Sequence, residues 1–213
     1  MKITDQIVIA GIGTAVGKTL VSAIVTQALH ATYWKPIQTG YQDGKGDRDA
    51  DFIREWTDCP VIPETYLLQE PLSPHIAAKL DGIAIDPDRL DIPTIAGPLV
   101  IETAGGLMVP LNDSTVFADI LQRWQKPVVL VVRQYLGNIN HTLLSVEALR
   151  SRNIPVLGII SNGNPLPDTN EWVSAYTRLP FLLHIPNLER MDRQVLSDLA
   201  STFKNNLNQY GLE

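Results

Sequence analysis

Cysteine is almost absent: the 213-residue chain contains only Cys59, so no disulfide can form within it. This suits a reducing compartment, and the N-terminus has no signal-peptide pattern, so we expect a cytoplasmic protein. Basic residues are also few, since 17 Lys and Arg stand against 23 Asp and Glu, a net charge of −6. Without a basic surplus, nucleic-acid binding is not expected. The longest apolar run, residues 128–132, is far shorter than the roughly 20 residues that span a bilayer, so no membrane span is expected.

What the chain does contain is the pattern of an α/β protein. Hydrophobic residues make up 45% and charged residues 19%, and the length predicts one domain, 1–213. Short apolar runs predict strands at 6–12, 33–38, 98–102, 127–132, 156–161 and 181–185. Helical patterns lie between and after them, at 18–31, 49–56, 74–81, 114–124, 138–151, 169–177 and 189–208. This alternation predicts a mostly parallel sheet with helices on both faces.

A glycine-rich segment joins the first predicted strand to the first predicted helix. It reads Gly11-Ile12-Gly13-Thr14-Ala15-Val16-Gly17-Lys18-Thr19. Glycines let backbone N–H groups converge on a phosphate, and the helix N-terminus adds partial positive charge. Lys18 can then reach the β- and γ-phosphates while the Thr19 hydroxyl binds Mg²⁺. The loop is a variant, because Ile12 stands where the standard spacing has glycine; the alternative is a glycine turn with an exposed lysine.

Carboxylates near strand ends are candidates for holding a metal. Glu102 ends a predicted strand, and the carboxyl ends of parallel strands form the mouth of a sheet. Asp49 and Asp51 lie in a loop rich in Gly and Asp, residues 40–51. Mg²⁺ prefers one or two carboxylates together with phosphate oxygens and water. Either aspartate can be a second ligand or a helix cap, and the pattern does not choose between them.

Three further positions are candidate binding residues. Lys35 lies at the end of an apolar strand, where a buried ammonium needs an anion, unless it extends to the surface. The helix near Asn138 has no acid in its first turn, so it can hold a carboxylate or phosphate, unless Asn138 is simply a cap. Asn162 follows a strand and is either a turn residue or a donor to a purine edge.

Taken together, these segments resemble the dethiobiotin synthetase family, the ATP-dependent cyclising ligases of biotin synthesis. The resemblance covers about residues 6–189. The matching segments are, in chain order, Gly13-Thr14-Ala15-Val16-Gly17-Lys18-Thr19, Lys35-Pro36-Ile37-Gln38-Thr39-Gly40, Asp49-Ala50, Glu70-Pro71-Leu72-Ser73-Pro74-His75, Glu102-Thr103-Ala104-Gly105-Gly106 and Gly137-Asn138-Ile139-Asn140-His141. The chain departs from the family at four positions. Ile12 stands where the family has Thr, and Ala15 stands where some members have an acid. Thr103 replaces a Gly, and Gly163 replaces a residue that is commonly Asp.

The resemblance implies a P-loop NTPase-like fold and a defined reaction. ATP, Mg²⁺, CO₂ or bicarbonate, and 7,8-diaminononanoate would yield dethiobiotin, ADP and phosphate through a carbamate and a carbamic–phosphoric anhydride. It also implies a homodimer with the active site at the subunit interface, and no covalent nucleophile.

The resemblance also implies residue roles. Nucleotide contacts would come from Gly13, Thr14, Ala15, Val16, Gly17, Lys18, Thr19 and Asn162. Substrate contacts would come from Thr14, Lys35, Thr39, Gly137, Asn138 and Asn140, with Trp172 a candidate beside the aliphatic chain. Thr19, Asp49 and Glu102 would hold Mg²⁺, and Lys35, Lys18 and Thr14 would be catalytic.

Two other classes share this loop and sheet. One is the dimeric switch ATPase of the partitioning or division-site type, which acts through protein interaction. It normally has an extra lysine near the start of the loop, and residues 10–16 contain none; the C-terminal helix is also not a basic membrane-binding helix. The other is the ligase domain of a cobyrinate-type amide synthase.

Overall fold

The computed structural model describes residues 6–42, 44, 47–164, 166 and 168–212; Asp43 and Gly46 of the predicted loop lie outside the described residues. Strands in this part of the chain are β1 Gln6–Gly11, β2 Thr32–Trp34, β3 Ile37–Gln38, β4 Val61–Ile62, β5 Tyr66–Leu67, β6 Leu99–Gly106, β7 Val128–Arg133, β8 Val156–Asn162 and β9 Phe181–Ile185. Its α-helices are α1 Lys18–Leu29, α2 Asp49–Trp56, α3 Pro74–Leu80, α4 Phe117–Trp124, α5 Asn138–Arg150, α6 Thr169–Thr177 and α7 Arg193–Gln209, with a 3₁₀ turn at Pro87–Leu90.

The main sheet has seven strands in the order β4-β2-β6-β1-β7-β8-β9, and the pairs in it are parallel. Its central strand, β1, is covered on both faces. Ile7 and Ile9 pack on the side of α1 and α7, whereas Val8 and Ala10 pack on the side of α3 and α4. Alternate residues of a strand point to opposite faces, so this strand is apolar throughout. The predicted α/β fold with helices on both faces is confirmed.

The predicted strand 33–38 is wrong in one respect, because the chain leaves the main sheet in the middle of it. Pro36 has no N–H to donate to a sheet, and its carbonyl accepts from Thr65 and Tyr66. As a result, β2 ends at Trp34, and β3 pairs with β5 in a separate two-stranded parallel sheet. The strands β4 and β5 were not predicted, since two residues carry no readable periodicity.

Two helices begin later than the pattern predicts, because side chains cap the turns before them. The Asn112 side chain accepts from the N–H groups of Ser114 and Thr115, so a turn precedes α4. The Asp192 side chain accepts from the N–H of Val195 and starts α7 at Arg193 instead of 189. Within the described residues, no helix combines the length and the apolar character that crossing a membrane requires.

The strand register brings distant parts of the chain to one edge of the sheet. Ile9 pairs with Glu102, and Trp34 pairs with Ile101. Lys35, immediately after β2, therefore emerges beside Glu102 in β6. The loop between β1 and α1 lies at the same carboxyl edge, where ligands bind in open α/β sheets.

Candidate active site

The loop between β1 and α1 makes a compact turn into the start of the helix. Gly17 is the N-cap of α1 with a φ of 94°, which favours glycine, and the first turn of α1 contains no acid. The Lys18 Nζ folds back to donate to the Gly13 carbonyl at 2.8 Å. Ile12 still donates its N–H to Val131 in β7 at 3.1 Å, so this position extends the strand pairing and needs no glycine. The first N–H groups of an α-helix have no acceptor within the helix, so this end of α1 is suited to an anion.

Two lysines line one cavity of about 500 Å³ beside this loop. Lys18 and Lys35 are both buried. Burial lowers the pKa of Lys18 to about 8, an effect that Lys35 adds to and that Glu102 and Asp49 oppose. Burial also opposes the charge of Lys35, but Glu102 and then Asp49 outweigh it and raise its pKa. The two ammonium groups, from residues 17 positions apart, therefore meet at one cavity.

An oxygen cluster lies at the centre of the same cavity. The Thr19 hydroxyl donates to Asp49 Oδ1 at 2.6 Å and lies 3.2 Å from Glu102 Oε1. The Lys35 Nζ donates to Asp49 and to Glu102 Oε1. Asp51 points elsewhere, being exposed and paired with Arg54 at 2.6 Å, so the structure brings Asp49 and not Asp51 to the cavity.

This donor set fits a hard divalent cation. A threonine hydroxyl and two carboxylates are oxygen ligands, and Mg²⁺ completes such a set with phosphate oxygens and water. The part of the chain that the structure describes contains no group of three or more His, Cys, Asp or Glu placed to hold a metal. The candidate oxygen donors at this cavity are two carboxylates and one hydroxyl, those of Asp49, Glu102 and Thr19.

Two residues that the sequence analysis missed support this cluster. The Gln38 side chain accepts from the Asp49 N–H at 3.2 Å and donates to the Thr39 carbonyl at 2.8 Å, so it ties the start of α2 to β3. Tyr33, fully buried, donates its hydroxyl to Glu102 Oε2 at 2.9 Å. Burial first, and the charge of Glu102 second, raise the pKa of Tyr33 well above its usual value. No local pattern marks these residues, since a tyrosine in a strand reads as core.

Thr14 lies between two cavities. It lines the polar cavity together with Thr39, and it also lines an apolar cavity of about 400 Å³. The walls of the second cavity come from the loop, the segment after β6 and helix α5; they include Gly13, Leu107, Met108, Val109 and Leu144. A hydroxyl at this junction is placed to contact the polar end of a ligand whose apolar part extends into the second cavity.

Asn162, at the end of β8, lies against the same loop. Its side-chain nitrogen donates to the Val16 carbonyl at 3.2 Å. A Cβ atom added at Gly17 would overlap that nitrogen, so the two positions are in direct contact. The chain bends at the next residue, Gly163, which has a φ of 102° and still donates its N–H to Ile185 in β9. The Asn162 amide is consequently a strand-end donor beside the phosphate loop.

The predicted substrate residues at the start of α5 line neither cavity within the described chain, although His141 of the same turn lines the apolar one. Gly137 and Asn140 are exposed, and neither they nor Asn138 line either cavity. The Asn138 side chain is buried and donates to Gln134 Oε1 at 2.8 Å, and the helix has no side-chain cap. The alternative that Asn138 is only a cap is therefore wrong. Trp172 is half exposed, stacks on Tyr176 and is likewise not among the residues that line the two cavities.

The fold and the site define a class of protein. A glycine-rich loop running from a parallel strand into a helix, with Lys18 and Thr19 opening that helix, is a P-loop nucleotide-binding site. Solved structures agree on the fold. The ParA family ATPase from Chlorobium tepidum matches 99% of this chain and 93% of its own at a TM-score of 0.56 and 12% identity. The cell division ATPase MinD of Pyrococcus furiosus matches 95% of this chain and 99% of its own, with a TM-score of 0.58 and 15% sequence identity.

Sequence relatives identify the family within this class. A family model described as an AAA domain matches residues 5–195. An ATP-dependent dethiobiotin synthetase BioD of Rhodopseudomonas palustris is 44% identical over 206 residues, 97% of each chain. The same enzyme of Brucella anthropi is 44% identical over 189 residues, 89% of each. The chain belongs to the ATP-dependent dethiobiotin synthetase family.

Proposed function

We propose that this chain is an ATP- and Mg²⁺-dependent cyclising ligase that converts 7,8-diaminononanoate and CO₂ into dethiobiotin, ADP and phosphate. Family membership supports the reaction. The observation that carries it to these residues is the convergence of Lys18, Lys35, Thr19, Asp49 and Glu102 on one cavity beside the loop. A reaction that joins a triphosphate to a carbamate must hold several anions close together, and this cavity has the charges for that task.

The nucleotide would occupy the loop and the start of α1. The backbone N–H groups of residues 13–19 and the ammonium of Lys18 would hold the β- and γ-phosphates, with Lys18 exchanging the Gly13 carbonyl for phosphate oxygens. Asn162 beside Gly17 would bind the purine edge. Thr19, Asp49 and Glu102 would hold Mg²⁺, directly or through water, and bound Mg²⁺ would neutralise charge on the phosphates.

The chemistry needs orientation more than a nucleophilic side chain. One amine of the substrate takes up CO₂ as a carbamate, and a carbamate oxygen attacks the γ-phosphorus as ADP leaves. The neighbouring amine then attacks the carbamoyl carbon, the ring closes and phosphate leaves. Ring closure is intramolecular, so correct placement supplies a large effective concentration. Lys35 would lie between the carbamate and the γ-phosphate and balance their charge, while Thr14 and Thr39 donate hydrogen bonds to the diamine or carbamate.

The substrate's aliphatic chain would leave Thr14 through the apolar cavity. Met108 and Leu144 line that cavity and are exposed, and Leu136, two residues before α5, is 97% exposed. Such apolar surface favours burial by a second copy of the chain. In the proposed homodimer, the partner's α5 start, with Gly137, Asn138 and Asn140, would bind the distant substrate carboxylate. This accounts for the separation of these residues from the cavities of their own chain.

The test is ATP turnover measured with the diamine and bicarbonate, each present or omitted. Strict dependence on both, with dethiobiotin formed in proportion to ADP, is the expected result. ATP hydrolysis that ignores both compounds and responds instead to a partner protein or a surface would reject the ligase in favour of a switch ATPase.

A further inference from the structure

The two oxygens of Glu102 have different partners. Oε1 lies 3.2 Å from both the Thr19 hydroxyl and the Lys35 Nζ, facing the cavity. Oε2 points into the core and accepts from the Tyr33 hydroxyl at 2.9 Å. The glutamate is 1% exposed and Tyr33 is fully buried, so bulk water does not reach this side of the carboxylate. The Tyr33 hydroxyl is the donor shown for Oε2.

The register of the sheet explains why Tyr33 reaches Glu102. Strand β2 pairs with β6, with Tyr33 opposite Val100. Residues 33 and 35 lie on the same face of the extended chain, and both contact Glu102. Trp34 points to the opposite face, where its ring lies 6.0 Å from that of Trp124. A buried tyrosine hydroxyl needs a partner, and here it holds one oxygen of a carboxylate whose other oxygen faces the site.

We propose that Tyr33 is a positioning residue for the metal-binding carboxylate: its hydroxyl fixes Glu102 so that Oε1 stays directed at Thr19 and at the cation. This inference rests on the proposed function, because it takes Glu102 as a ligand of Mg²⁺. Removing the hydroxyl leaves a buried carboxylate oxygen without a donor, and the carboxyl group then turns to share Lys35 or Thr19. Loss of a partner of this kind typically lowers metal affinity or activity by about 10–100-fold.

The test compares the affinity of the protein for a non-hydrolysable ATP analogue in Mg²⁺ and in EDTA, by titration calorimetry. The ratio of the two affinities measures how much Mg²⁺ strengthens binding of the analogue, and it does not depend on turnover. In Tyr33→Phe, we expect this ratio to fall about tenfold or more while the affinity in EDTA is unchanged. Tyr66→Phe is the matched control. It also removes a buried tyrosine hydroxyl, one that accepts from the Asp86 N–H at 3.0 Å, and should leave the ratio unaltered.

Glu102→Gln separates this inference from the proposed function. If Glu102→Gln leaves the ratio unchanged, Glu102 does not bind the metal, and both its proposed role as a Mg²⁺ ligand and the positioning role of Tyr33 are overturned. If it lowers the ratio while Tyr33→Phe matches the wild type, the positioning role is overturned and the metal site stands. The double variant should be no worse than Glu102→Gln alone, because Tyr33 acts through that carboxylate; fully additive losses would overturn the inference. Near-UV circular dichroism checks that Tyr33→Phe keeps its packing.

Discussion

Replacing Gly17 with alanine perturbs the contact between the phosphate loop and the strand end that carries Asn162. The new methyl group would stand at a φ of 94°, where an L-residue is strained by about 1–2 kcal/mol. It would also overlap the Asn162 side-chain nitrogen. Since that atom is the end of a flexible side chain, Asn162 can swing away. Its hydrogen bond to the Val16 carbonyl, worth about 1 kcal/mol, is then lost.

The two effects sum to a loss of about 2–3 kcal/mol in the free energy of unfolding. For a chain of this length, each kcal/mol lowers Tm by roughly 2–4 °C, so we expect Tm to fall by about 5–10 °C in a thermal scan. The displaced Asn162 should also weaken ADP binding, measured by calorimetry, if this amide binds the purine.

Two control variants separate the backbone strain from the loss of the Asn162 hydrogen bond. Gly82→Ala places a methyl group at a φ of 68° with no atom within 4 Å, so it should show the backbone strain alone. Asn162→Ala should show the loss of the hydrogen bond alone. Combined with Gly17→Ala, it should add almost nothing, because the alanine has already broken that bond. Losses that simply add in the double variant, or a Gly17→Ala loss no larger than that of Gly82→Ala, would refute the reasoning.

Three further predictions concern charge and substrate. Lys35→Gln should depress kcat more than ATP affinity if Lys35 has the proposed role of balancing the charge of the carbamate and γ-phosphate; a collapse of ATP binding in calorimetry would assign Lys35 to the nucleotide instead. Asn140→Ala should raise the KM for the diamine with a milder loss of kcat, and an unchanged KM in steady-state assays would exclude the α5 start as the carboxylate site. The pKa of Lys18, about 8 in the free protein against 10.5 for an ordinary lysine, should rise when phosphates bind. ATP binding with Mg²⁺ at about pH 8.5 should therefore take up a proton, with almost none taken up at about pH 6.5, where Lys18 is already charged. Calorimetry in buffers of different ionisation enthalpy measures this uptake, and Lys18→Met should remove it; equal uptake in that variant would place the proton elsewhere.

Local sequence patterns were enough to predict the phosphate loop and its place between the first strand and the first helix. The apolar strand before Gly11, the glycines of residues 13–17 and the Lys18-Thr19 pair predict a phosphate loop, because strand, turn and helix signals all act over a few residues. Glu102 was predicted from its place at the end of a predicted strand 98–102; in the structure β6 continues past it to Gly106, so the strand end was placed too early. The family resemblance then supplied the remaining residue roles, which stay predictions until the variants above are measured.

Tertiary structure decided what distant residues do to one another. Asp49 and Asp51 are equivalent as a pattern, but only Asp49 faces Thr19, while Asp51 pairs with Arg54. Thr19 and Glu102 are 83 positions apart and Tyr33 and Glu102 are 69 apart. These contacts exist because β6 lies between β1 and β2, and strand order and register depend on how all the strands pack together. A linear pattern carries each strand's own preference for extended structure, but the neighbour it pairs with is set by burial of the whole core.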